Sequence, residues 1–161
     1  MVNLDKVIIP AARLGEVSVL QELIDRNTDV NTKDEKGYTP LLIACYNNQI
    51  EAVSLLLQAG ADTNAQDNGG NTALMGVAFK GYLNIAELLI SNGADLNKQH
   101  GNGGSALMFA AMFGRNEIVK LLLLHGANIN LVDNRGHNVI ELAQQQGNTA
   151  AVELLLAART N

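Results

Sequence analysis

The apolar positions of this chain fall in short clusters that recur. Ala52, Val53, Leu56 and Leu57 are followed by Ile85, Ala86, Leu89 and Ile90, then by Ile118, Val119, Leu122 and Leu123, then by Ala151, Val152, Leu155 and Leu156. Each set marks one face of a helix, not the alternation of a strand. A tighter set of small residues precedes each one: Ala11, Ala44, Val77, Ala110 and Ala143 form one column, and Ala12, Cys45, Ala78 and Ala111 the next. Small side chains let first helices approach closely, while the Leu, Ile and Val columns fill the space behind them.

Polar punctuation keeps the same period. Gly37 is matched by Gly70, Gly103 and Gly136, Gly60 by Gly93 and Gly126, and Asn64 by Asn97 and Asn130. Thr39, Thr72, Ser105 and Asn138 stand just before the first helix of each unit, as residues that cap orphan N–H groups. Pro40 follows at the first helical position, where a missing N–H is harmless. Asn48, Gly81, Gly114 and Gly147 end the first helix in a left-handed residue, and Gly60, Gly93 and Gly126 end the second. The pattern predicts an all-α solenoid of about five stacked helix-turn-helix units. Glycine-bearing loops between units are suited to extended β-hairpins that project sideways. No single unit buries both faces, so stacking creates the core.

The boundaries are residues 1–33, 34–66, 67–99, 100–132 and 133–161, within a single domain spanning 1–161. The first unit lacks the turn glycine and the Thr-Pro start and reads as an N-terminal cap, with Arg13, Glu16, Gln21, Glu22, Asp25 and Arg26 toward water. Pro10 predicts a short or kinked first helix there. The last unit turns polar at Glu141, Gln144, Gln145 and Gln146, and reads as the C-terminal cap.

These units resemble ankyrin repeats. GYTPLLIAC, GNTALMGVA, GGSALMFAA and GHNVIELAQ carry the first half of that signature, and QAGADTN, SNGADLN and LHGANIN the second. The histidine usual after Thr-Pro-Leu is replaced by Leu42, Met75 and Met108, which trades an inter-repeat hydrogen bond for apolar stacking. His100 replaces the aspartate that opens the other units (Asp34, Asp67, Asp133), which predicts a looser turn at HGNGG. The wording is similar to short bacterial ankyrin proteins. The resemblance implies a non-enzymatic module that binds an unidentified protein partner through its concave face and hairpin tips. Some bacterial lookalikes are associated with catalase function, so it also implies an alternative, a structural or regulatory subunit of a bacterial enzyme system.

Charge and composition narrow the classes. A formal net charge of -5 argues against nucleic acid, which calls for a basic footprint. The single cysteine makes no internal disulfide, so no oxidising compartment is required. The N-terminal segment lacks the apolar core of a signal peptide, and no run is long enough to span a bilayer. A cytoplasmic monomer, away from membranes and without cofactor or metal, is the expectation.

For the partner-binding site the sequence nominates Tyr38, Tyr46, Asn47, Phe79, Lys80, Met112, Phe113 and Arg135. Four of the six Phe and Tyr residues fall here, Tyr46, Phe79 and Phe113 being read as one column. Exposed aromatics are the usual composition of a binding hot spot. The competing reading is that Phe79 and Phe113 merely extend the core. Lys33, Lys36, Lys80 and Arg135 predict a mildly basic face, with Glu51, Glu87, Glu117 and Glu153 on the second helices. Catalytic readings fare poorly. His100, His125 and His137 lack metal-ligand spacing, Cys45 lies in an alanine column with no nearby base, and HGNGG lacks the strand and Lys-Ser/Thr of a phosphate loop. Asn31, Asn64, Asn97 and Asn130 are read as braces between units.

Overall fold

A computed structural model describes residues 1–161 and consists of ten helices. They form five pairs: α1 (Asp5–Leu14) with α2 (Val17–Asp25), α3 (Pro40–Tyr46) with α4 (Ile50–Gln58), α5 (Ala73–Lys80) with α6 (Leu83–Ser91), α7 (Ala106–Met112) with α8 (Asn116–Leu124), and α9 (Val139–Gln145) with α10 (Thr149–Arg159). Odd-numbered helices pack on one another in one row and even-numbered helices in a second. The odd row packs more closely, and its contact columns are the small ones: Ala44, Cys45, Ala78, Ala110 and Ala111 are fully buried. Leu20, Leu56, Leu89, Leu122 and Leu155 are equally buried behind them, so one apolar cluster runs through the stack.

Helix starts are set by side chains. The hydroxyls of Thr39, Thr72 and Ser105 accept from the amides of Leu42, Met75 and Met108 at 3.2, 3.3 and 3.4 Å. Asn138 accepts from Glu141 at 3.0 Å, and Glu141 returns the favour by accepting from the Asn138 amide at 2.9 Å. A cap of this kind holds about 1 kcal/mol. At the other end of α3, Asn48 takes φ 57° where later units carry glycine.

Two expectations need correction. α1 is neither short nor interrupted: at ten residues it is the longest odd-numbered helix, with Pro10 inside it. Pro10 and Lys6, the residue whose carbonyl loses its partner, are both exposed, so the orphan group falls on the solvent side of the helix. The projecting β-hairpins are reduced to turn tips, with one isolated bridge between Val132 and Asn138. Each tip is closed by two backbone bonds, such as Asp34 N–H to the Tyr38 carbonyl at 3.1 Å and Gly37 N–H to the Asp34 carbonyl at 3.0 Å, and the chain then enters a helix cap at once. The remaining tip groups bond sideways instead. Asn68 N–H donates to the Lys36 carbonyl (3.0 Å), Gly101 to Gly69 (2.9 Å) and Asn134 to Asn102 (3.0 Å).

The turn at His100 is not loose. Its Nδ1 accepts the Gly104 amide at 2.8 Å, the place taken by a carboxylate oxygen when Asp34, Asp67 and Asp133 accept from Tyr38, Asn71 and His137. The asparagines do bridge units. Oδ1 of Asn31, Asn64 and Asn97 accepts the amides of Asp62, Asp95 and Asn128 at 2.7–2.8 Å.

Candidate functional site

The last residues of the odd-numbered helices and the turn tips line shared hollows. Tyr46 ends α3, Phe79 and Lys80 end α5, Met112 ends α7, and Asn47 and Phe113 are the residues after α3 and α7. With a repeat of 33 residues, Tyr46 and Phe79 share a column with Met112, not with Phe113, which falls in the column of Asn47 and Lys80. The single stripe expected from the sequence is therefore staggered. The rings still meet, because Phe113 sits edge-on to Phe79 with centroids 4.6 Å apart.

Phe79 and Phe113 are 42% and 44% exposed, so they do not simply extend the core. Tyr46 is half-buried, and the reason is a glycine. In the column Pro10, Ile43, Gly76, Phe109 and Leu142, only Gly76 has no side chain. The Tyr46 ring lies over it, and a β-carbon at Gly76 would overlap that ring. Glycine inside a helix costs about 1 kcal/mol relative to alanine. Here it opens a notch of about 450 Å³ between the second and third units.

Aromatic rings wall the notch: Tyr38, Tyr46, Phe79 and Phe109, with Asn47 and Lys80 also lining it. Tyr38 meets Tyr46 edge-to-face at 5.9 Å. Asp67 lies in the same notch, its Oδ1 fixed by the Gly69 and Asn71 amides at 2.9 Å each. Burial first, and then the charge of Asp67, raises the Tyr46 phenol above its ordinary range. The hydroxyl therefore stays protonated and can donate to a ligand.

Met112 and Arg135 belong to a different hollow, about 500 Å³ between the fourth and fifth units. His100, Asp133 and His137 line it as well, and the His100 ring packs edge-on to Phe109 at 5.1 Å. Backbone bonds from the His137 and Arg135 amides hold the Asp133 carboxyl below the usual aspartate range. The structure thus divides the eight nominated residues. Tyr38, Tyr46, Asn47, Phe79 and Lys80 share the notch, Met112 and Arg135 share the second hollow, and Phe113 leans on Phe79.

Sequence reasoning missed Gly76, Asp67 and Phe109. The isolated glycine in a helix-forming stretch was the available signal. The basic face is also corrected: Lys80 shares its notch with Asp67 and Arg135 its hollow with Asp133, while Lys33 donates to the Gln66 carbonyl at 2.9 Å. The result is a face of mixed charge. Burial raises the Cys45 thiol well above its ordinary range, which leaves it protonated and unreactive. No three His, Cys, Asp or Glu side chains converge, and no helix is long and apolar enough to cross a membrane.

Paired helices capped by Thr or Ser, stacked through alanine columns and joined tip to tip, define a repeat solenoid. The family model described as "Ankyrin repeats (3 copies)" matches residues 8–100 and 74–161, and the chain belongs to the ankyrin repeat family. Compared with curated proteins, the chain matches none. Ankyrin repeats are in general protein–protein interaction modules without catalysis of their own.

Proposed function

We propose that the protein binds a partner protein through the concave face and tips, with the notch over Gly76 as the anchor point. The observation that carries this reading is the clustering of Tyr38, Tyr46, Phe79 and Phe109 around one cavity. Aromatic side chains around a desolvated pocket are the composition of interface hot spots. Lys80 and Asn47 at the notch, and Arg135 with Met112 further along, add polar and apolar contacts that set register. The first and last helix pairs close the stack toward water as caps.

The test is affinity capture from the native host with wild type and with a Tyr46→Ala/Phe79→Ala/Phe113→Ala variant. Circular dichroism checks that the stack remains folded. Loss of the captured partner with the fold retained supports the reading; an unchanged set of partners removes it. Lys80→Glu serves as a second variant that leaves packing untouched and should weaken capture by itself.

A further inference from the structure

The tip ladder has an open first rung. In three successive junctions an N–H of the later tip donates to a carbonyl of the earlier one: Asn68 to Lys36, Gly101 to Gly69, and Asn134 to Asn102. The next position back in this series is the Glu35 amide, which donates to nothing, because the first unit has no tip. A second rung repeats the pattern. The Gln66 and Val132 carbonyls accept side-chain donors from the preceding unit, Lys33 Nζ at 2.9 Å and Gln99 Nε2 at 2.9 Å. The equivalent Lys33 carbonyl has no partner. An acceptor at residue 33 and a donor at residue 35 are the spacing with which a strand edge offers its groups to one side.

A groove of about 680 Å³ lies beside this edge, between it and α1. Ile9, Pro10 and Tyr38 give it apolar surface, and Lys6, Arg13 and Lys36 line it with cations. Lys33 sends its ammonium to the Gln66 carbonyl, so Lys6, Arg13 and Lys36 face three Asp and Glu along its walls, in a chain whose overall charge is -5. One of those carboxylates, Asp34, is already turned inward to accept the Lys36 and Tyr38 amides at 2.9 Å.

We propose that this groove takes an extended, acidic segment of a partner polypeptide, added as one more rung of the tip ladder. The segment gives a backbone carbonyl to the Glu35 amide and an N–H to the Lys33 carbonyl, and its carboxylates meet Lys6, Arg13 and Lys36. Main-chain pairing supplies affinity and the side-chain charges supply selection. A second copy of the chain does not fit. Its last tip would bring α9 and α10 along, and α1 and α2 already fill the place behind the Glu35 tip. Only a slender segment has access. The site lies at the end of the stack, and its test is separate from that of the aromatic notch.

The probe is the blocked heptapeptide Val-Glu-Val-Glu-Val-Glu-Val, titrated into the 15N-labelled protein and followed by amide shifts and hydrogen exchange. The Glu35 amide is expected to move and to exchange more slowly, and the Val-Lys counterpart of the probe to bind more weakly. Glu35→Pro deletes the one N–H, at the second position of a turn closed by Gly37 N–H to the Asp34 carbonyl, where proline is well accepted. It should weaken binding roughly fivefold or more, the worth of one hydrogen bond, while Glu35→Gln retains it. If Glu35→Pro disturbs the fold, a Lys6→Glu/Arg13→Glu variant should show the same loss. The proposal is overturned by no saturable binding, by binding indifferent to these changes, or by shifts confined to Tyr46, Phe79 and Phe113.

Discussion

The junction between the second and third units and the junction between the fourth and fifth share one backbone plan and end as different surfaces. Both rest on a side-chain helix cap, a buried leucine and a tip asparagine, Asn68 or Asn134, that donates through both its backbone and its side-chain N–H to the preceding tip. At the earlier junction the missing side chain of Gly76 lets Tyr46 lie down and leaves an aromatic notch. At the later one Leu142 occupies that column, and Asp133, Arg135 and His137 line the hollow instead. The lesson is that one position at the rim of the core sets the character of the face: Ile43 and Leu142 are buried there, while Gly76 leaves its space to Tyr46.

The largest effects should be identical on the two sides of this comparison. Leu74 and Leu107 occupy the same buried position in successive units, each 1% exposed. Replacing either by alanine should cost about 2–5 kcal/mol in denaturant unfolding, the range for truncating a buried leucine. Unequal losses, with one near zero, would show that the units do not share a common core.

Helix caps come next. Thr72→Ala and Ser105→Ala each remove a buried hydroxyl that accepts an N–H, and each should cost about 1 kcal/mol. Chemical denaturation of the two variants side by side measures this, and a neutral result for both would mean that the caps are ornamental.

Gly76→Ala is expected to separate surface from stability. The helix gains about 1 kcal/mol in propensity, but the new methyl must displace the Tyr46 ring. Net stability should stay within about 1 kcal/mol of wild type, while tyrosine fluorescence changes and partner capture falls. Retained capture with a displaced Tyr46 would remove the notch from the binding site.

The smallest effect concerns pH. The folded-state pKa of Asp133 is depressed, so its contribution to stability is present above the ordinary aspartate range and is lost as pH falls through the lower, folded value. The His137 amide, which donates to Asp133 at 2.9 Å, should therefore lose exchange protection only in strong acid. Asp133→Asn should blunt that change. An unchanged acid profile of the His137 amide in Asp133→Asn would contradict this account.

Much of the fold was legible because the repeats supply their own control. Thr39, Thr72, Ser105 and Asn138 announce four helix starts, and the alanine columns announce close packing of the odd-numbered helices, since cap and column act over a few residues or across one fixed period. The site was legible only in outline. Exposed helix ends could be counted forward from Tyr46, but the count slipped at Phe113 by one residue. The sequence does show Gly76 as an isolated helical glycine, without showing that Tyr46 thirty residues earlier would fill its space.

The sequence by itself thus determines the period, the helix pairs, the caps and the apolar columns, because those follow from local propensity and from which face of a helix is greasy. Three matters were decided only by tertiary structure. The tips keep only their closing backbone bonds and add bonds to neighbouring tips, since α3, α5, α7 and α9 begin too soon to leave a second strand. His100 stands in for an aspartate, because a ring nitrogen at the right place accepts the same N–H. The aromatic rings converge on one notch and leave the Glu35 edge open, because both depend on how far one unit reaches across the next.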